Sequence, residues 1–442
     1  MLAPDLSMDK LVDSRNGTIN NAIFSHPDIY EQELEQIFER MWLFVGHESE
    51  IPKPGDFVRG RMGEEQVIVT RGEDNQVHVL LNSCAHRGNV VCRYDQGSSL
   101  NFRCSFHGWT YDSKGALVAL PPGSEDLYAP DLRKEEWGLL KARVELFQGT
   151  IWATWDETAP SLMDYLGGAE TYLAPPLADA DGTPEGTEVA GGVMKWRVGL
   201  NWKVPMPDMD TTHGWITHQS ARAATGLFAP TVPRYDNMYH IWFPEGHTTE
   251  TRLPKEGPDG SDFGSFGSFS DYPVVQEYMR EKWAKRKERL GKLAHIQEPP
   301  HIFPNMGSVG RIIRVLHPQG PAETEMWSYI LVDKAAPPEV KEGVVRYHER
   351  RWGPNGMIQK DDMENWYILT QYSKGRMTRT RLRQNAQLGM STPSMHGPSA
   401  FGMPGMWHPE PSDENIRRFY ERWAHVMKAR DWDEMRVANS AK

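Results

Sequence analysis

Cys84-Ala-His86-Arg-Gly88 and, further on, Cys104-Ser-Phe-His107-Gly108-Trp109 form the pattern C-x-H, seventeen residues, C-x2-H. Each short loop offers one thiolate and one imidazole. Facing each other, the two loops supply the ligands of a [2Fe–2S] cluster with both cysteines on one iron and both histidines on the other. Gly88 and Gly108 allow tight turns and a close backbone approach to the cluster sulfides, and Trp109 is placed to cover the loop. Structural zinc sites usually pair Cys with Cys and His with His, whereas here the pairs are mixed and one spacing is a single residue. Cys92, between the loops, reads as a small buried hydrophobe.

Mixed ligation of this kind defines a Rieske centre. Its potential lies well above that of an all-cysteine cluster, so it passes electrons onward and an acceptor is expected elsewhere in the chain. Around the loops, from about 51 to 120, short strand-like runs alternate with Gly, Pro, Asp and Asn. Val67-Ile68-Val69 and Val77-His78-Val79 flank a turn from Arg71 to Gln76, a hairpin signal. This predicts a small all-β domain over 41–157, ending where Asp156, Glu157 and Pro160 punctuate the pattern.

Ahead of it, Tyr30, Leu34, Ile37, Phe38 and Met41 share one face of a helix predicted over 28–43, within an N-terminal segment, 1–40, expected to pack on the second domain. Downstream, 158–442 is predicted to be a catalytic domain with one antiparallel sheet surrounded by helices, making the chain α+β. Its expected elements are a loop at 174–187, strands at 189–198 and around 308–332, a mobile surface loop at 264–272, a charged helix through 274–290 and a closing helix at 413–429. Ser412 is the expected N-cap of that helix, with Ile416, Phe419, Tyr420, Trp423, Val426 and Met427 as its buried stripe.

The chain has 442 residues, 49 basic against 60 acidic, and a net charge of −11. Without a Lys/Arg block it is a poor nucleic-acid binder. No apolar run approaches the ~18–20 residues that span a bilayer, and Met1 to Ile29 lacks the apolar core of a signal peptide. A soluble cytoplasmic protein is expected. Three cysteines in this length exclude a disulfide framework.

A second constellation, Asp210-Thr-Thr-His213-Gly-Trp-Ile-Thr-His218, reads D-x2-H-x4-H. On a helix these offsets are about 300° and about 140°, so the three side chains share one broad face. Two histidines suit Fe(II), and equally zinc or a buried helix face. A carboxylate from Gln359-Lys360-Asp361-Asp362-Met363-Glu364-Asn365-Trp366 completes a facial triad with open positions for oxygen and substrate. Asp210 shares a segment with the histidines and suits a supporting role, accepting the free N–H of His213.

With both constellations, the chain resembles the large subunits of aromatic-ring-hydroxylating dioxygenases, the naphthalene and biphenyl dioxygenase group. Further likeness lies in Trp42-Leu-Phe-Val-Gly-His47, Gln148-Gly-Thr-Ile-Trp152, Phe303-Pro-Asn305 and His317-Pro-Gln-Gly-Pro321. The resemblance implies Cys84, His86, Cys104 and His107 on the cluster, and His213, His218 and Asp362 on iron. It implies that Asp210 bridges to His107 of a neighbouring subunit. It also implies a trimer of catalytic subunits accompanied by a small beta subunit.

The chain departs from the family at Val204 to Met209, where Met206 replaces an amide residue and two prolines enter, so the pocket beside the iron is altered. Trp352 and Ile358 match positions that in the family face substrate. The implied reaction is cis-dihydroxylation of an aromatic substrate with O2. Monooxygenation or demethylation by the same iron, or a bare electron carrier, are the alternatives. No flavin or nicotinamide motif is present, so NAD(P)H is expected to act only through a separate reductase, with or without a ferredoxin.

Overall fold

The computed structural model describes residues 7–209, 216–219, 221, 235–253, 269 and 271–436. The chain forms two compact units, Phe38–Leu162, and Met1–Ile37 together with Met163–Lys442.

In the first unit, strands β1 (Leu43–His47), β2 (Asp56–Met62), β3 (Glu65–Arg71), β4 (Val77–Leu81), β5 (Gln96–Ser98), β9 (Lys141–Phe147) and β10 (Thr150–Thr154) form one sheet in the order β1-β10-β9-β4-β3-β2-β5. The hairpin is present: β3 and β4 pair antiparallel with Val69 opposite Val79. Asn75 takes the positive φ of 62° that their turn requires. β6 (Asn101–Arg103), β7 (Thr110–Asp112) and β8 (Leu117–Ala119) form a small second sheet. One ligand loop follows β4 and the other joins β6 to β7. Both cysteines therefore point into the core, among Phe57, Ile68, Leu80, Trp109 and Tyr111. Cys92 lies in the same core.

In the second unit, β11 (Thr187–Val198), β14 (Met306–Val309), β15 (Ile312–Pro318) and β16 (Thr324–Asp333) form an antiparallel sheet in the order β11-β16-β15-β14. β15 is buried along its whole length, which is why Ile312 to Leu316 reads as a continuous apolar run broken by one arginine. A second four-stranded sheet, β13-β12-β18-β17, consists of β12 (Met238–Trp242), β13 (Thr248–Arg252), β17 (Met395–His396) and β18 (Met406–Pro409). With a small three-stranded sheet of Val12–Asp13, Thr18–Asn20 and Arg383–Asn385, the described residues of this unit hold three antiparallel sheets where one was expected.

Helix α3 (Pro273–Leu290) starts on Pro273 and stops before Gly291, whose φ is +55°, the usual helix punctuation. Its stripe of Val275, Tyr278, Met279 and Trp283 packs with Val340, Val344 and Tyr347 of α4 (Pro338–Trp352) over Ile312 and Ile330 of the sheet. Helix α5 (Gln359–Ser373) follows α4 and carries Asp361 and Asp362 in its first turn, where the helix dipole favours negative charge.

Several local expectations change. The N-terminal helix is α1 (Pro27–Glu33) extended to Phe38 by a wider turn, and Leu43 already belongs to β1. Alongside Ile29 and Tyr30, α1 buries Glu33. Its carboxylate takes the Lys203 ammonium at 2.6 Å and the indole N–H groups of Trp202 at 2.9 Å and Trp423 at 2.7 Å. Burial pushes the Glu33 pKa up, while the Lys203 charge and the three donors on its carboxylate act in the opposite sense. A helix, Glu170–Leu177, enters the stretch expected to be a loop. The closing helix α6 (Glu414–Val426) has Asp413 at its N-cap, and Ser412 Oγ instead accepts from Glu414 N at 3.2 Å. Most of 264–272 lies outside the described residues. Among the described residues no helix is long and apolar enough to cross a membrane.

Candidate metal centres

The two cysteine–histidine loops have the same backbone construction. Gly88 N donates to Cys84 O at 2.8 Å and Cys84 N to Asn89 O at 2.8 Å; Gly108 N donates to Cys104 O at 2.9 Å and Cys104 N to Trp109 O at 2.8 Å. Each turn closes on a glycine in the left-handed region, Gly88 at φ +71° and Gly108 at φ +76°, a conformation that costs a side-chain-bearing residue about 1–2 kcal/mol. The spacing seen in the sequence is therefore the spacing of two equivalent turns.

These turns bring all four ligand residues together. Cys84 and Cys104 are buried, while His86 and His107 are half-buried with ring centroids 4.7 Å apart. Two thiols on the inner side and two imidazoles on the outer side fit a Rieske cluster. Trp109 stacks on the His86 ring at 5.0 Å, nearly parallel at 9°, and its indole donates to Tyr128 OH at 3.0 Å.

Two further residues reach the cysteine sulfurs. Tyr111 OH lies 3.2 Å from Cys84 Sγ and accepts from Ala85 N at 3.1 Å, while Asn89 Nδ2 lies 3.6 Å from Cys104 Sγ. The sequence reading missed both. Tyr111 sits two residues beyond Trp109, and only the return of the chain along β7 aims it back at the first loop.

At the second constellation, Asp210 and His213 lie outside the described residues. His218 is described, and its ring sits between two acids, Nε2 at 3.3 Å from Asp362 Oδ1 and Nδ1 at 3.4 Å from Asp361 Oδ2. The Asp362 carboxyl is pushed up to about 8 by burial and by the charges of Asp208 and Asp361, while Arg314 acts in the opposite sense. A metal cation there would hold it ionised. Trp352 stands edge-on to His218 with ring centroids 6.4 Å apart. Ile358 is buried in the turn before α5, its N–H bonded to Arg351 O at 3.1 Å. Met206 is buried on the short helix α2 (Pro205–Asp208), its carbonyl 3.1 Å from His301 Nδ1.

A third group was not singled out in the sequence, because its members are far apart along the chain. His240, Glu250 and Glu410 offer ligand atoms within 4.8 Å of one another. His240 is opposite Glu250 across β12 and β13, and its Nδ1 is 3.2 Å from Ser412 Oγ. The side chains of His240 and Glu410 touch each other and are fully enclosed. The set is a candidate for mononuclear iron in which Glu250 is half-buried and the His240–Glu410 pair is closed, while the side chains of His218 and Asp362 are about one-fifth exposed.

Residues 41–133 match the Rieske [2Fe-2S] domain family, and residues 187–429 match the ring hydroxylating alpha subunit (catalytic domain) family. Biphenyl 2,3-dioxygenase subunit alpha of Rhodococcus jostii is 37% identical, over 97% of this chain and 93% of its own length. Benzene 1,2-dioxygenase subunit alpha of Pseudomonas putida is 34% identical, over 97% and 95%. A solved structure of naphthalene 1,2-dioxygenase with indole in its active site superposes with a TM-score of 0.86 at 28% identity, covering 97% of each chain.

Proposed function

We propose, on the premise that this chain belongs to the ring-hydroxylating dioxygenase alpha subunits, that it cis-dihydroxylates an apolar aromatic ring with dioxygen. The chain is the large subunit of a terminal oxygenase and an oxidoreductase, with a Rieske domain and a non-haem iron catalytic domain. When bound, the cluster supplies single electrons and the mononuclear iron supplies open positions for oxygen beside substrate.

Cys84 and Cys104 hold the buried side of the cluster, and His86 and His107 its outer side, where electrons leave. His213, His218 and Asp362 hold the iron, with Asp210 as the link from His213 to a cluster histidine of the next subunit. The approach of His218 Nε2 to Asp362, 3.3 Å, is the observation that carries this assignment. The partly open His218–Asp362 pair suits an iron that must admit oxygen better than the enclosed His240–Glu410 pair does. Trp352, beside His218, is the flat wall of the substrate pocket, with Met206 and Ile358 as its apolar lining.

On this reading 41–157 is the electron-transfer domain, and 158–442 with 1–40 packed on it is the catalytic domain. Electrons arrive from a separate reductase, directly or through a ferredoxin. The working form is a trimer of catalytic subunits with a small beta subunit, in the cytoplasm. The test is metal analysis joined to a product screen over aromatic hydrocarbons with a reductase supplied. About three irons per chain and a dihydrodiol product are expected. A colourless protein, or one holding stoichiometric zinc, overturns the reading.

A further inference from the structure

One arginine interrupts the apolar run of β15. Arg314 is fully buried, and a buried guanidinium must satisfy its N–H donors or leave a large desolvation cost unmet. Its partners come from four places. Nε donates to Ser328 Oγ at 3.1 Å, directly opposite on β16. Nη2 donates to Trp352 O at 2.9 Å, the last residue of α4. Nη1 donates to Gln359 Oε1, the first residue of α5. The guanidinium also lies over the Trp196 ring of β11, 5.6 Å from its centroid.

These contacts converge on one short piece of chain. Gln359 precedes Asp362 by three residues, within the first turn of α5. Trp196, under the guanidinium, reaches the other flank through its indole Nε1, 3.3 Å from Met363 Sδ. Asp362 is therefore held on both sides by groups that Arg314 contacts. The turn between α4 and α5, which carries Trp352 at one end and Asp362 just past the other, is spanned by a single planar cation.

We propose that Arg314 is a positioning residue for the iron site, fixing where α5 begins relative to the sheet and so where the Asp362 carboxylate and the Trp352 wall stand. This rests on the reading of Asp362 as an iron ligand. The planar fork is what the role requires. Lysine keeps the charge but presents it at one point, and cannot reach Ser328, Trp352 and Gln359 together.

The experiment uses full-length protein with its cluster intact and the mononuclear site emptied. Fe(II) is titrated into the wild type, Arg314→Lys, Arg314→Met, Gln359→Leu and Asp362→Ala, and the visible spectrum of Co(II) in the same site reports ligand geometry. Fe(II) binding is expected to weaken about 10–100-fold in Arg314→Met, less in Arg314→Lys and Gln359→Leu, with an altered Co(II) spectrum and an unchanged cluster spectrum in each. Wild-type Fe(II) affinity and Co(II) spectrum in Arg314→Met overturn the proposal. If Arg314→Met does not fold, Gln359→Leu decides: weakened binding supports the proposal and wild-type binding overturns it. If Asp362→Ala itself binds Fe(II) like wild type, the ligand assignment fails and the inference falls with it. Loss in Asp362→Ala alone refutes only the role of Arg314.

Discussion

The Trp366 indole donates to Asp208 Oδ2, one helical turn beyond Asp362 on α5. Trp366 is buried while Asp208 is exposed at the end of α2. One bond therefore ties the helix with the acidic ligand candidate to the segment that runs on to Asp210 and His213. Asp208 lies in the stretch where the sequence departs from the family, so this tie belongs to the altered pocket. Asp208→Asn keeps an acceptor and removes a charge. It is expected to leave thermal stability near wild type and, in iron-free protein, to lower the Asp362 pKa, because Asp208 helps raise it. Asp208→Ala leaves the indole N–H without its acceptor and should cost about 1 kcal/mol. Equal melting temperatures for Ala and Asn variants would show that the bond does not matter.

Tyr111 should set part of the cluster's potential. Once Cys84 is a thiolate, its partner at 3.2 Å must be the donor, and a hydrogen bond to the sulfur favours the reduced, more negative cluster. Tyr111→Phe is expected to lower the reduction potential by tens of millivolts, about 40 mV for each 1 kcal/mol of differential bonding. A redox titration followed at the cluster's visible bands reads this directly, and an unshifted midpoint refutes it.

Asp361 and Asp362 both approach His218, but from opposite ring nitrogens. Asp362→Ala is expected to abolish oxygenation and leave the cluster spectrum intact. Asp361→Ala should retain most of the activity, because its partner is the nitrogen turned away from Asp362. Product yield beside iron content checks both. Should Asp361 prove essential and Asp362 dispensable, the roles are reversed.

His247 makes the catalytic unit acid-sensitive independently of any metal. It is buried, its Nδ1 accepts from Phe303 N at 3.1 Å, and its Nε2 is 2.8 Å from Tyr165 O. Only the neutral ring with its proton on Nε2 satisfies both contacts. Burial accordingly lowers its pKa to about 4 from the ordinary value of 6.5. Below 6.5 the unfolded chain binds a proton that the folded chain does not, so stability is lost as pH falls through the window from 6.5 to 4. The slope is at most about 1.4 kcal/mol per pH unit. His247→Gln should flatten this part of the stability curve measured by denaturant unfolding, and an unchanged slope would exclude His247 as the cause.

Asp210 is tested by electron flow rather than by binding. With the cluster pre-reduced, Asp210→Asn is expected to keep both metals largely bound and to stop cluster re-oxidation when substrate and oxygen are added. Re-oxidation at the wild-type rate removes Asp210 as the bridge. An active enzyme that sediments as a monomer removes the inter-subunit route as well, since a head-to-tail contact of this kind closes only as a ring.

Much of this protein was determined within short windows of its sequence. C-x-H and C-x2-H each close a turn through bonds made inside the motif, Gly88 to Cys84 and Gly108 to Cys104, so their spacing already encodes ligand geometry. The hairpin at β3 and β4 and the stripe of Phe419, Tyr420, Trp423 and Val426 on α6 are equally local, because strand and helix periods act over a few residues. Tertiary structure decided what depends on distant residues meeting. Tyr111 reaches Cys84 only after β7 turns back. Arg314 looks like a flaw in an apolar strand until Ser328, Trp352 and Gln359 surround it. Glu33 looks like the polar side of a helix until Lys203 and two tryptophans close on it. A buried charge is tolerable only where its partners converge. Since those partners lie up to hundreds of residues away along the chain, no local pattern announces them and only the fold assembles them.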